Sequence, residues 1–270
     1  SLTLKYREKI MNEHLKVTRN GEILEIVLDR PKANAIDGNL SRAMGELFSE
    51  FRDDPGLRVA ILTGAGERFF SAGWDLHGAS SDEDYLDDYG VGGFGGFPQL
   101  PGLLKPVICA VNGMAIGGGL EMLLRADFII AAEHAEFLLP EVRIGMAPDV
   151  ATFMLPKILP RQKAFELLMT GRRKSAHDMA ALGIVNEVVP AAELMDRARA
   201  LASDLLKAAP LSLAAIKEAV DLTEKLTFAE SFEALQSRSW PAFMRMLESS
   251  DAKEGAKAFL EKRDPVWKGE

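Results

Sequence analysis

The chain changes hydrophobic period along its length, and those changes predict its elements. Leu15–Arg19 and Glu22–Leu28 read as two strands joined at Asn20-Gly21, a favoured two-residue hairpin turn. The segment Asp29 to Ala35 is irregular, because Pro31 cannot continue a ladder. Asp37 is placed as an N-cap. Behind it Leu40, Ala43, Met44, Leu47, Phe48 and Phe51 fall on one helical face, and Pro55-Gly56 ends that helix. Arg58–Thr63, Val107–Val111 and Phe128–Ala132 are short continuous apolar runs, as in buried strands. Phe69–Leu76 follows the Gly64-Ala65-Gly66 turn, and its Ala72-Gly73 pair is a place where small side chains could expose amides. Residues 77–105, rich in Ser, Asp and Gly, show little periodicity and predict a mobile loop or a short helix.

Further helices are expected over Leu120–Arg125, over Arg161–Thr170 with Gly171 as its stop, and after a capping box formed by Ser175 and Asp178, ending near Gly183. Ile184–Val189 gives the last strand signal. After it Leu194, Ala198, Leu201 and Leu205 form one stripe, and helices are expected near 212–225, 228–248 and 251–263. The organisation is therefore a strand-rich α/β core over 15–192 and a helical region over 193–270, with no internal repeat in the sequence.

The chain is organised around Val111 to Pro148. A glycine-dense turn there leads into helix formers, with Glu121 in the first turn and Glu141 after Pro140, 20 residues further on. Glycines let the backbone approach a ligand closely and leave N–H groups unshielded at a helix start, where the helix dipole favours negative charge. A backbone anion site flanked by two carboxylates suits chemistry that makes and quenches an oxyanion. A dinucleotide fingerprint fails, since its last glycine would fall on Met122. A P-loop fails as well, for want of the lysine and hydroxyl after Gly118. The spacing by itself also allows a tight packed turn, with Glu121 merely complementing the dipole.

Composition narrows the classes. With 270 residues, 47% hydrophobic and 27% charged, the chain can build a substantial core. A net charge of −8 disfavours nucleic acid or an anionic membrane as partner. No apolar run approaches the roughly 20 residues that cross a bilayer. The opening SLTLKYREKIMNEHL has no signal-peptide core, and the one cysteine, Cys109, lies in an apolar strand. Both features lead to the expectation of a cytoplasmic protein without disulfides. The scattered histidines His14, His77, His134 and His177 give no metal motif, and Ser71 lies in no nucleophile elbow.

Four motifs occur in order: Arg30-Pro31-Lys32 with Asn34-Ala35; Phe70-Ser71-Ala72-Gly73-x-Asp75; Asn112-Gly113 with Gly117-Gly118-Gly119-x-Glu121; and Pro140-Glu141 with Gly145. In this combination, and over nearly the whole chain from about Leu15, the sequence resembles the crotonase, or enoyl-CoA hydratase/isomerase, superfamily. The resemblance implies an α/β fold, a crotonase-like spiral of ββα units with a helical C-terminal trimerisation region, and a homotrimer or a dimer of trimers. It implies reversible hydration of an α,β-unsaturated acyl-CoA, with coenzyme A as part of the substrate and no separate cofactor. The strings TRNGEILEIVLDRPKANAID, FRDDPGLRVAILTGAGERFFSAGWDL and EKRDPVWKG point, within the family, to members acting on a carnitine-type acyl thioester. A general 2-enoyl-CoA hydratase, an isomerase and an inactive acyl-CoA-binding scaffold are the alternatives.

By motif position the oxyanion donors would be the N–H groups of Ala72 and Gly118, and the water-handling acids Glu121 and Glu141. Lys32 and Ala33–Ala35 would line the nucleotide, with Phe259 and Lys262 reaching it from a neighbouring subunit. Gly73, Trp74, Asp75, Leu76, Gly117 and Pro140 complete the expected acyl-CoA contacts. His77 stands where the family often has Lys. Trp74, Tyr85, Tyr89 and Asp149 are candidate receivers of a quaternary ammonium. After Pro148-Asp149 the chain reads Val150-Ala151-Thr152, where relatives commonly have a glycine pair, so the pocket shape is expected to differ there.

Overall fold

The computed structural model describes residues 12–75 and 88–270. The chain divides into two compact units, Ser1–Ala202 and Ser203–Glu270.

The first unit contains two sheets. One has six strands in the order β1 (Leu15–Asn20), β2 (Ile23–Leu28), β3 (Val59–Gly64), β5 (Val107–Val111), β7 (Phe128–Ala132) and β10 (Glu187–Val189). The other has four, in the order β4 (Phe69–Ser71), β6 (Met114–Ile116), β8 (Glu136–Leu138) and β9 (Lys174–Ser175). Among the described residues only the β1–β2 hairpin and the β8–β9 pair are antiparallel. The strands of each successive pair, β3 with β4, β5 with β6 and β7 with β8, go to different sheets. The next pair lies parallel alongside, which is the ββα spiral. β3 and β5 are buried along their whole length because both faces of the parallel sheet are covered. Cys109 is part of that core, and burial pushes its thiol pKa up, so it is packing and not a nucleophile.

Helix α1 (Gly38–Asp53) forms as its apolar period requires. Asp37 accepts a hydrogen bond from the Leu40 N–H at 2.8 Å, and Leu40, Met44, Leu47, Phe48 and Phe51 are buried. Against α1 lies the described part of the stretch expected to be mobile. Phe97, Leu100 and Leu103 are buried, and Phe97 meets Phe48 at 5.0 Å between ring centroids. Residues 88–105 are thus a packed loop. Their glycines make close backbone approaches, which a reading based on solvated composition could not see. The remainder of that stretch, with Leu76, His77 and Tyr85, lies outside the described residues.

Helix α2 (Gly118–Leu123) starts two residues before the expected Leu120, and the three-residue strands β6 and β8 had no period long enough to detect. Helix α3 (Val150–Ile158) was not expected. It begins at the Asp149 cap and carries Pro156 inside it. Helices α4 (Arg161–Thr170) and α5 (Ala176–Ala181) match expectation, with Gly171 left-handed at the end of α4 and the Ser175/Asp178 capping box at the start of α5. Helix α6 (Leu194–Leu206) buries Leu194, Ala198 and Ala202.

The second unit is helical: α7 (Pro210–Thr223), α8 (Phe228–Gln236), α9 (Pro241–Glu248) and α10 (Ser250–Glu261). The single helix expected over 228–248 is broken before Pro241, which cannot donate within a helix and disfavours helical geometry in the residue before it. The start of α9 is held by Glu218, which accepts from the N–H groups of Ala242 and Phe243 at 3.0 Å each.

Candidate active site

The site is assembled where the segment after β4 meets the start of α2. Ser71 is fully buried, and its hydroxyl donates to the Asn34 carbonyl at 2.8 Å while accepting from the Gly73 N–H at 3.1 Å. Asn34 is itself held in a left-handed conformation, with its amide donating to the Ala65 and Phe69 carbonyls. Arg30 ties the same loop down by pairing with Asp37 at 2.9 Å and Asp75 at 2.8 Å. These contacts hold Gly73 at φ +79°, so close to its neighbour that a β-carbon there would lie 2.8 Å from the Gly118 nitrogen. The backbone around residue 73 is therefore pressed against the first turn of α2. Helix geometry leaves the N–H of Gly118 without an intrahelical acceptor.

Glu121 leaves that helix one turn on and is 6% exposed. Its Oε1 accepts from the Ala151 N–H at 2.9 Å. Burial raises its pKa to about 8; the Ala151 bond opposes this, and the neighbouring charges of Asp149 and Glu141, with a side-chain hydrogen bond to Asp149, add to it. Glu141 starts a 3₁₀ turn (Glu141–Ile144) and is 8% exposed. Its pKa is also raised, first by burial and further by Asp149. Its Oε2 is buried with no hydrogen-bond partner among the described residues, while a β-carbon on Gly117 would lie 2.6 Å from its Oε1.

Both acids open into one cavity of about 890 Å³, counting its open mouth. Its described lining includes Ala72, Trp74, Gly117, Gly118, Pro140 and Asp149, and it contains no Lys, Arg or His. One cavity therefore holds a main-chain donor and two buried carboxyl groups whose pKa values are both raised, that of Glu121 to about 8. That arrangement suits proton transfer beside a developing oxyanion.

The pattern of the enoyl-CoA hydratase/isomerase family matches residues 18–270. The chain belongs to that family. A carnitinyl-CoA dehydratase of Escherichia coli is 55% identical over 96% of this chain and 100% of its own length, and one of Salmonella arizonae is 54% identical over the same shares. Among solved structures, enoyl-CoA hydratases of Mycobacterium tuberculosis (TM-score 0.87, 34% identity) and Mycobacterium marinum (TM-score 0.87, 36% identity) each cover 96% of this chain and 100% of theirs.

Against this family background, one assignment from the motifs needs correction. The Ala72 N–H donates to the Ala33 carbonyl at 2.9 Å, so it is committed within the fold, although Ala72 still lines the cavity. Asp75 is likewise engaged by Arg30 and does not line the cavity. Lys32 is exposed at φ +77°, and Ala33 and Ala35 are half-buried; none of the three is in the acyl cavity's lining. In the second unit Phe259 is 84% exposed on α10, and Lys262 caps that helix in a left-handed conformation. Motif reading missed the cavity walls Phe94 in a loop, Met122 on a helix, Ile144 at the end of the 3₁₀ turn and Met146 just after it. It also missed the pinning roles of Asn34 and Ser71, although both stand inside the quoted motifs.

Proposed function

We propose that the chain interconverts carnitinyl-CoA and crotonobetainyl-CoA by reversible loss of water. The observation that carries this reading is the convergence of Glu121 and Glu141, both buried, on the cavity that Gly118 lines. In hydration the two acids hold one water. One carboxylate takes its proton as oxygen bonds to Cβ, a proton is delivered to Cα, and the electron pair of the double bond passes through an enolate. Dehydration reverses each step. The pair titrates together, so neither acid owns an apparent pKa.

The enolate oxygen accepts from the Gly118 N–H and from a second amide. With Ala72 committed, Trp74 supplies it. Ile36 bridges in parallel to Trp74, bonding to the Gly73 carbonyl and the Asp75 N–H, so the Trp74 N–H points to the opposite edge. Removing one such donor costs about 10²–10³ in rate.

Residues 15–192 carry the acyl-CoA site. Lys32 with Ala33 and Ala35 takes the nucleotide end of coenzyme A, and Phe259 and Lys262 of a neighbouring copy complete it. Residues 193–270 assemble the trimer, alone or as a pair of trimers. The reaction needs no separate cofactor and takes place in the cytoplasm. Among the described residues no helix is long and apolar enough to cross a membrane.

The test is hydration of crotonobetainyl-CoA against crotonyl-CoA, followed by loss of enoyl-thioester absorbance. Preference for the first is expected. Equal or reversed preference moves the assignment to a general enoyl-CoA hydratase, and tight binding of both without turnover moves it to a scaffold.

A further inference from the structure

The pocket holds a third carboxyl group that adding water to a double bond does not require. Asp149 caps α3, its side chain accepting from the Val150 N–H, and it lines the same cavity as Glu121 and Glu141. The groups facing Glu121 are Asp149 from the α3 cap, Glu141 from the 3₁₀ turn and the Ala151 N–H, and no described cation lines the cavity to offset the acids. In place of a cation the cavity has Trp74, Tyr89 and Phe94, the last two edge to face at 5.5 Å between ring centroids. Glu141, 8% exposed and with its Oε2 buried without a hydrogen-bond partner among the described residues, completes an acidic, aromatic-walled receptor. Such a wall suits a cation that has no N–H to donate.

We propose that Asp149 selects an acyl chain bearing a quaternary ammonium. The inference rests on the acyl-CoA hydration reading above. In a 4-trimethylammonio acyl thioester the nitrogen is two bonds from Cβ, roughly 2.5 Å. The carboxyl groups that handle water at Cβ therefore sense the charge at close range. A cation beside Asp149 is attracted by the acids around it and offsets their mutual repulsion. An uncharged chain of the same shape offers no such compensation.

The experiment compares crotonobetainyl-CoA with its neutral isostere 5,5-dimethylhex-2-enoyl-CoA in the wild type and in Asp149→Asn, which retains an acceptor for the helix cap. Asp149→Ser, another capping residue, is a second variant should the first fold poorly. The wild type is expected to favour the charged substrate by about tenfold or more in kcat/KM, and the variants to lower that ratio by about 10- to 100-fold. Equal losses on both substrates, or an unchanged ratio, would show that Asp149 only caps the helix and would overturn the inference while leaving the hydration reading intact. A wild type inactive on both substrates overturns the hydration reading itself.

Discussion

Gly117 and Glu141 are in such close contact that no β-carbon fits between them: one built on Gly117 would lie 2.6 Å from Oε1 of Glu141. Gly117 is also the N-cap of α2, at φ +52° and ψ −124°, a conformation L side chains rarely adopt. One residue thus links the Gly118 amide to the second acid. Gly117→Ala is expected to cost about 1–3 kcal/mol of stability. It should also lower kcat by on the order of tenfold or more, because a small misplacement of reacting groups is expensive. Thermal melting and hydration rate on the same preparation check both effects; wild-type turnover in a folded variant would separate Gly117 from the chemistry.

Stability and activity pull Glu121 in opposite directions. Its folded-state pKa of about 8 stands above the ordinary 4.5, so between these values the folded chain holds a proton that the unfolded chain has lost. Stability accordingly falls as pH rises through that window, and Glu141, also raised, adds a slope of the same sign. Glu121→Gln stays neutral, so its melting temperature should decline less between about pH 5 and 8 and exceed the wild type's at the upper end. The same substitution should reduce hydration by about 10²–10⁴. Melting curves across this range test the first claim, and a slope as steep as the wild type's would contradict it.

Ser71 is a positioning residue. Replacing it with Ala removes the donor to the Asn34 carbonyl and the acceptor for the Gly73 N–H, both in a fully buried place. The expected cost is about 1–3 kcal/mol in denaturant unfolding. Since Gly73 sets the backbone beside Gly118, kcat should fall more than KM rises. Ser71→Thr, which keeps the hydroxyl, should recover part of the loss.

The packed loop over 88–105 makes its own prediction. Gly96 has φ +80°, and a β-carbon there would lie 2.3 Å from Cβ of Met44 and 2.5 Å from the Gly45 nitrogen. Gly96→Ala should destabilise the fold by about 2–4 kcal/mol through backbone strain and overpacking against α1. A surface-like change of a few tenths of a kcal/mol, measured by urea unfolding, would return this loop to the solvated class that its composition implied.

Sequence by itself determined the elements whose signal is local. The Asn20-Gly21 hairpin, the α1 period behind Asp37, the Ser175/Asp178 capping box and the continuous apolar strands each depend on neighbours within a few residues, and each is observed. The motifs also brought Glu121, Glu141, Gly118, Gly117, Pro140 and Trp74 to one cavity. Tertiary structure decided what depends on which groups are already engaged. Ala72 and Asp75 stand in the right motif, but their hydrogen bonds go to Ala33 and Arg30, partners about 40 residues away in the chain. Loop 88–105 reads as solvated because glycine carries no hydrophobic signal, yet the missing side chains are what let it lie against α1. Asp149 becomes a third acid of the site only because the fold brings the α3 cap to the side chain of Glu121. Period and motif report the local preference of a segment; the direction of each amide and the neighbours of each carboxyl group are set by the long-range packing of the sheets and α2.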